Sequence, residues 1–163
     1  MKCVKMNGEY YQILVDKFIF TVKKSLRYTE NGTWVEVENG HLRVGVTDFL
    51  QKRGGDVVYI ELPKVSSTVK RADEIVQIET IKTVSTIISP VEGRIVEVNS
   101  SLQNKPEAIN EDPYGKGWLV IISPSNLQKE LSQLLTAERY FEWMKIELDE
   151  EMEKSKKELG GFD

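Results

Sequence analysis

Lys82 is the residue whose type and position best fit a chemical task. It interrupts a run of β-branched residues between Gln77 and Ile88, and a Ser-Pro-Val-Glu-Gly segment at 89–93 ends the run. Because β-branched side chains favour extended strands, the segment predicts two short strands that meet at a tight turn. The turn would hold the lysine in solvent on a rigid support. Such an amine suits a group that an enzyme attaches and the protein then carries, although an ordinary solvated hairpin lysine has the same pattern.

Few other residues could do chemistry. Cys3 is the only cysteine and His41 the only histidine. An intrachain disulfide and a cysteine-based zinc site are therefore excluded, and little is left from which to assemble an acid–base site. We interpret Cys3 as a thiol in a mobile terminal segment and His41 as a strand residue after a turn. The sequence therefore predicts no catalytic residue and no metal site, and it disfavours a stand-alone enzyme.

Composition is typical of one soluble globular domain with additions. The chain has 163 residues, of which 40% are hydrophobic and 29% charged, and its formal net charge is −4. No apolar run approaches the ~20 residues of a membrane span. The apolar run at 18–22 is too short for the core of a secretory signal, and Lys23 and Lys24 lie on the wrong side of it for such a signal. We therefore expect a cytoplasmic protein without a membrane partner, and the lack of a basic stripe disfavours nucleic acid.

The elements that position Lys82 are predicted to be short strands. Residues 34–38 and 41–46 alternate in polarity around Asn39-Gly40, a strong hairpin signal. Thr47-Asp48 can cap a short helix at 49–53 that Gly54-Gly55 stops. Four further runs have strand character, at 57–62, 75–79, 94–98 and 118–122. Many short strands with turns between them favour a closed or sandwiched antiparallel arrangement.

Two helices are predicted near the end of the chain. Residues 125–128 (Ser-Asn-Leu-Gln) fit a capping box, and four leucines at 127, 131, 134 and 135 form one apolar face against the strands. Thr136 can cap a second helix, in which apolar residues recur at 140, 144, 148 and 152 before Gly160-Gly161. The turn-rich segment 112–118 lacks the spacing of a phosphate-binding loop and is interpreted as a tight turn.

These patterns divide the chain into three parts. Residues 1–26 are too apolar for a disordered tail and predict an added strand or helix that packs on the domain. Residues 27–123 form the β domain, and residues 124–163 form the C-terminal helices with an acidic end. That end is interpreted as a solvated helix face, with a docking surface as the alternative.

The residues around Lys82 resemble those of the glycine cleavage H protein family, whose pattern at the modified lysine is close to Glu-Ser-Val-Lys-Ala-Val-Ser. The resemblance extends in one order over about residues 27–144. It rests on these blocks: 27–29 (RYT), 33–35 (TWV), 44–51 (VGVTDFLQ), 55–63 (GDVVYIELP), 79–85 (ETIKTVS), 89–93 (SPVEG), 96–99 (VEVN) and 110–119 (NEDPYGKGWL).

The resemblance implies both fold and function. The fold would be mainly β, a flattened barrel-sandwich hybrid of the lipoyl/biotinyl type with C-terminal helices. Lys82 would be the lipoyl attachment site, and lipoate its covalent cofactor. The carrier would shuttle an aminomethyl group from a glycine decarboxylase to an aminomethyltransferase and then meet a dihydrolipoyl dehydrogenase. A lipoate-attaching enzyme would be a further partner, with Glu79 either part of what that enzyme reads or a solvated carboxylate. A monomer is expected.

Several positions depart from the family pattern. Gly32-Thr33 stands in place of His-Glu, Ser66 in place of a glycine, and Thr80-Ile81 in place of Ser-Val. These departures leave two alternatives open. One is an H-like lipoyl carrier in another pathway, such as heterodisulfide-reductase-like sulfur oxidation or lipoyl relay. The other is an unmodified interaction module. A biotin carrier is disfavoured because Lys82 lacks flanking methionines.

Overall fold

Strands dominate the structure, a computed structural model that describes residues 2–160. The described chain contains β1 (Lys2–Met6), β2 (Tyr10–Val15), β3 (Phe18–Lys23), β4 (Arg27–Tyr28), β5 (Thr33–Glu38), β6 (His41–Val46), β7 (Val57–Glu61), β8 (Thr68–Val69), β9 (Glu74–Thr80), β10 (Val84–Ile88), β11 (Gly93–Val98), β12 (Val120–Pro124) and β13 (Leu135–Thr136). Its helices are α1 (Asp48–Gly54), α2 (Ala108–Glu111), α3 (Leu127–Ser132), α4 (Ala137–Gly160) and a 3-10 turn at Ser100–Gln103. The predicted mainly β fold with C-terminal helices is confirmed.

The largest sheet has seven antiparallel strands in the order β13-β4-β5-β6-β12-β11-β8. At its centre, the predicted hairpin of β5 and β6 is confirmed, with Glu38 paired to His41. The turn residues Asn39 and Gly40 have φ values of 52° and 78°. Two successive positive φ values match the right-handed twist of the strands. This explains why Asn-Gly stands here.

A smaller sheet, in the order β10-β9-β7, faces the large one across a common apolar core. Val35, Leu42 and Val44 enter this core from the large sheet, and Ile60 and Ile78 from the small one. The predicted strands on either side of Lys82 are confirmed as β9 and β10, which pair antiparallel. The two sheets thus form a flattened sandwich whose small sheet ends at the Lys82 turn.

The N-terminal segment forms strands rather than a helix. β1, β2 and β3 make a separate antiparallel sheet, and Phe20 and Val22 are buried in a second core with Met144 of α4. The rings of Tyr11 and Phe141 stack with centroids 5.2 Å apart, which fixes this sheet on α4. Cys3 lies exposed in β1, so the thiol stands in a strand and not in an irregular tail. The predicted parts 1–26 and 124–163 run beyond the described residues at Met1 and at 161–163.

The predicted start and length of the first C-terminal helix are wrong. Asn126, not Ser125, is the N-cap of α3, and its side chain accepts a hydrogen bond from the Lys129 N–H. The helix ends at Ser132, so the four leucines do not share one helical face. Three of them, Leu127, Leu131 and Leu134, still pack on the first core.

The predicted strand at 118–122 also begins two residues later, as β12. The Trp118 N–H donates to the Gly115 carbonyl at 3.1 Å, so the preceding turn holds this residue out of the ladder. The interpretation of 112–118 as a tight turn agrees with two hydrogen bonds from the backbone N–H groups of Gly115 and Gly117 to the Asp112 carbonyl, at 3.2 and 2.9 Å.

The long helix α4 begins as predicted. The Arg139 N–H donates to Thr136 Oγ1 at 3.2 Å, and the recurring apolar residues Tyr140, Met144 and Leu148 are buried. The predicted stop lies at the edge of the described residues, with Gly161 outside them. Among residues 2–160, no helix combines the length and apolar character needed to span a membrane.

Candidate functional site at the Lys82 turn

Lys82 lies exposed at the tip of the turn between β9 and β10. Thr80, which is buried, organises this turn because its Oγ1 accepts hydrogen bonds from the backbone N–H groups of Lys82 and Thr83 at 3.2 and 3.1 Å. The Thr80 N–H also donates to the Thr83 carbonyl at 2.8 Å. The predicted outward lysine on a stiff turn is therefore what the structure contains.

A second set of hydrogen bonds ties the turn to the loop after α1. The Ile81 N–H donates to the Asp56 carbonyl at 3.2 Å. From α2, the side-chain amide of Asn110 reaches this loop: its oxygen accepts from the Val57 N–H at 2.8 Å and its nitrogen donates to the Gly55 carbonyl at 3.0 Å. Asn110 thus holds the support of the turn in place. The local sequence gives no signal for this role, because Asn110 is a single polar residue of the short helix α2 and its partners lie 53 and 55 residues away in the chain.

Gly55 brings this loop close to the lysine stem. Its φ of 85° lies in the left-handed region, where glycine is favoured. A Cβ placed on Gly55 would be 3.3 Å from Cε and 3.4 Å from Cδ of Lys82. The aliphatic stem of Lys82 therefore lies across the glycine backbone.

Several apolar side chains are exposed beside the lysine. Ile81 and Val84, which flank the turn, are 71% and 59% exposed, and Tyr59 on β7 is 54% exposed. Tyr59 and Val84 both pair with the exposed Glu79 of β9. Exposed apolar side chains that lie together are typical of contact surfaces.

Two cavities adjoin the turn. The larger, here called the Lys82 cleft, has a volume of about 520 Å³ and is lined by Lys82 with residues of the β2–β3 hairpin, α1 and α4. The smaller has a volume of about 280 Å³ and lies beneath the turn, with Thr80, Thr83 and Ser85 in its lining. His41 lines neither of these two cavities.

Comparisons with known proteins decide the family. A sequence model of the glycine cleavage H-protein family matches residues 26–147. The chain belongs to this family. Its predicted family resemblance is therefore confirmed.

Relatives from archaea and bacteria agree with this assignment. The chain is 45% identical over 127 residues to a probable glycine cleavage system H protein of Pyrococcus abyssi, covering 77% of this chain and 94% of the relative. It is 43% identical over 120 residues to the glycine cleavage system H protein of Oceanobacillus iheyensis, with coverage of 74% and 94%. These relatives favour the glycine cleavage interpretation over the two alternatives.

A solved H-protein structure supports the fold. The crystal structure of a glycine cleavage system H protein from Mycobacterium marinum superposes with a TM-score of 0.67 at 35% identity, over 73% of this chain and 95% of that one. The predicted flattened barrel-sandwich is confirmed. Strands β1 to β3 and the last turns of α4 lie outside the H-protein match at 26–147.

A partly buried polar network joins this outer part to the H-protein part. The Thr21 N–H donates to Asp48 Oδ2 at 2.9 Å, and the Tyr114 hydroxyl donates to the Thr21 carbonyl at 2.6 Å. The Tyr140 hydroxyl donates to Thr47 Oγ1 at 3.0 Å. Burial raises the pKa of Tyr140 to about 12, and it raises the pKa of Tyr114 well above the usual value.

Proposed function

We propose that Lys82 carries lipoate in amide linkage and that the chain is the lipoyl carrier of a glycine cleavage system. The observation that carries this proposal is the exposed lysine at the tip of the β9–β10 turn, within the segment that resembles the family's attachment motif. Acylation removes the charge of the ammonium group. Exposure allows an attaching enzyme to reach the nitrogen without unfolding the turn.

The residues around Lys82 suit a tethered cofactor. Lipoate, when bound, supplies a dithiolane that accepts an aminomethyl group and two electrons, so the carrier itself needs no catalytic group. The Thr80 hydroxyl fixes the turn by accepting from the backbone N–H groups of Lys82 and Thr83, and the Asn110 amide holds the adjoining loop by donating to the Gly55 carbonyl. A fixed attachment point confines the arm to a small volume and raises its effective concentration at each docked partner.

The partners follow from this role. We propose a glycine decarboxylase, an aminomethyltransferase and a dihydrolipoyl dehydrogenase as the enzymes that the arm visits, with the cytoplasm as the compartment and a monomer as the working form. A lipoate-attaching enzyme acts before them. Glu79, exposed three residues before Lys82 on the same strand, is a residue that we expect this enzyme to read.

Intact mass after co-expression with a lipoate ligase tests the attachment site. The unaltered chain should gain the mass of one lipoyl group, and Lys82→Arg should gain none, since arginine cannot form the amide. Lys70→Arg, at another exposed lysine, is the matched control and should be modified fully. Glu79→Ala should slow the modification without preventing it.

Reconstitution then tests the pathway. With the three enzymes, tetrahydrofolate and an electron acceptor for the dehydrogenase, the lipoylated chain should support consumption of glycine, and Lys82→Arg should not. A chain that gains no lipoyl mass beside an active ligase would favour the unmodified interaction module. A chain that is lipoylated but supports no glycine consumption would favour a carrier of another pathway.

A further inference from the structure

The N-terminal sheet has two outer strands, β1 and β3, and their edges differ. The edge of β3 is covered by side chains of α1: the Thr21 N–H donates to Asp48 Oδ2 at 2.9 Å, and Lys52 Nζ donates to the Ile19 carbonyl. A covered edge cannot pair with another chain. β1 pairs with β2 on one side, and its other side differs from the edge of β3.

The backbone groups of Val4 and Met6 point away from β2. The Asn7 N–H donates to the Tyr10 carbonyl at 3.1 Å, where the β1–β2 hairpin closes. Because bonded and non-bonded pairs alternate along an antiparallel ladder, Lys5 bonds to β2, whereas Val4 and Met6 turn their N–H and C=O groups to the outer side. Within residues 2–160, no side chain forms a hydrogen bond with the backbone of either residue. This edge is open.

The same two residues expose apolar side chains. Val4 lies opposite the buried Ile13, and opposite residues share a face of the sheet, so Val4 and Met6 point to the face that packs on α4. They are nevertheless 45% and 69% exposed, because β1 extends beyond the second core. Lys5 is exposed on the other face. We call the surface formed by Val4, Lys5 and Met6 the β1 edge.

Charge and hydrogen bonding together select a partner for the β1 edge. Residues 2–26 contain five lysines and two carboxylates, hence a charge of +3 in a chain whose net charge is −4. A lysine on an edge strand disfavours pairing with a second copy of that strand, whereas a segment of opposite charge is attracted. The outward N–H and C=O groups need an extended backbone beside them, which a lipid surface does not provide.

We propose that the β1 edge binds an extended acidic segment of a partner protein, which joins the N-terminal sheet next to β1. Because side chains alternate along a strand, the segment places apolar residues beside Val4 and Met6 and carboxylates beside Lys5. At the far end of the β1–β2 pair, Val15 lines the Lys82 cleft, so the bound segment lies on the side of the molecule that bears Lys82. This inference goes beyond the proposed function and does not depend on lipoylation.

NMR of the full chain, labelled with nitrogen-15 and without lipoate, tests the β1 edge. The probe is a heptapeptide in which glutamate and valine alternate, blocked at both ends. It should shift the amide resonances of Val4 and Met6 and slow their hydrogen exchange, since these N–H groups gain acceptors. The amides of Cys3 and Lys5, already bonded to β2, should keep their exchange rates. A heptapeptide in which lysine and valine alternate should cause neither change.

Two variants separate backbone pairing from charge attraction. Val4→Pro removes an outward N–H at a position where an edge strand tolerates proline, and it should weaken binding of the probe by about tenfold or more. Lys5→Glu should weaken binding about three- to tenfold. Lys70→Glu, at an exposed lysine outside the N-terminal sheet, is the matched control and should bind as the parent does. Unchanged exchange of the Cys3 amide in Val4→Pro verifies that β1 still pairs with β2.

Several results would overturn the proposal. Unshifted amides of Val4 and Met6 would show that the edge takes no strand, and binding that Val4→Pro leaves unchanged would show that charge alone holds the probe. A dimer in sedimentation velocity that Val4→Pro dissociates would assign the edge to a second copy of the chain. Binding to phosphatidylglycerol vesicles, without binding of the probe, would assign it to a lipid surface. Attachment at Lys82 is judged separately by intact mass.

Discussion

Ser66 adopts a backbone conformation that its residue type disfavours. It lies between β7 and β8 with φ 78°, at a position where the H-protein pattern usually has glycine. Its N–H donates to the Ile95 carbonyl at 2.7 Å, and this bond holds the loop on β11. A left-handed conformation costs a residue with a Cβ about 1–2 kcal/mol. The departure noted from the sequence thus corresponds to a strained turn.

Ser66→Gly should raise the free energy of unfolding by about 1 kcal/mol, because relief of the left-handed conformation outweighs the entropy that glycine adds to the unfolded chain. Urea denaturation at neutral pH measures the change. Ser67→Gly is the control: φ of Ser67 is not positive, so this variant should be less stable than the parent. An unchanged or lower stability of Ser66→Gly would contradict the claim that the backbone of Ser66 is strained.

Prediction from sequence succeeded where the residue type favours one particular local conformation. The successful predictions concern Lys82 in its β-branched run, Thr47 as a helix cap and the Asn39-Gly40 turn. Each of these predictions depends only on neighbours in the chain. Asn110 and the cleft lining depend instead on contacts between segments distant in sequence. Phe18, Arg53, Lys82 and Met152 line one cleft, yet no spacing between them indicates this.

At the scale of elements, α3 shows what determines which of two neighbouring residues becomes the N-cap of a helix. Both Ser125 and Asn126 can cap a helix, and the sequence favoured the serine. Asn126 has extended φ and ψ values of −150° and 102°, and its side chain accepts from the Lys129 N–H at 3.1 Å. The Ser125 N–H is held by the Glu92 carbonyl at 3.0 Å, a contact that the local sequence could not reveal.

Asn126→Ala should lower the free energy of unfolding by about 1 kcal/mol, the usual cost of losing a side-chain N-cap. Ser125→Ala should change it by less than half of that, since only the backbone of this residue is used. Thermal and urea unfolding of both variants give the comparison. A larger loss of stability for Ser125→Ala than for Asn126→Ala would instead support the predicted capping box, in which Ser125 is the N-cap.

The prediction that four leucines share one helical face was wrong for a related reason. Spacing alone placed the four leucines on one helix, but α3 ends at Ser132, whose hydroxyl donates to the Lys129 carbonyl at 2.7 Å. Leu135 instead begins the short strand that pairs with β4. Sheet pairing between distant segments overrode the local periodicity.

At the scale of the whole molecule, the protein has two apolar cores. The first lies between the two sheets of the sandwich, and the second joins the N-terminal sheet, β4 and β5 to α4. The second core contains tyrosine rings, including Tyr28 and Tyr140, which stack with centroids 4.6 Å apart. Burial raises the pKa of Tyr28 far above its usual value and that of Tyr140 to about 12.

These shifts predict a stability that decreases in alkali. A tyrosine whose pKa is higher in the folded than in the unfolded protein contributes fully below the unfolded pKa, and its contribution is lost as the pH rises through the folded one. For Tyr140, with values of 10.0 and about 12, the loss between pH 10 and 12 should be about 2 kcal/mol.

Urea denaturation between pH 8 and pH 12 measures this dependence. Tyr140→Phe should be less stable than the parent at pH 8, because it loses the Thr47 hydrogen bond, but its stability should fall less steeply above pH 10. Tyr59→Phe, at a 54% exposed site, should follow the parent curve. Parallel curves for the parent and Tyr140→Phe would show that this hydroxyl does not control the alkaline loss.

The walls of the Lys82 cleft come from near the two ends of the described chain, whereas the turn that bears the lysine belongs to its middle. Substitutions in the hairpin or in the final turns of α4 can therefore reshape what surrounds the amine without shifting any strand of the sandwich. In this architecture, the chemical surroundings of the amine and the strand frame that supports it can evolve independently.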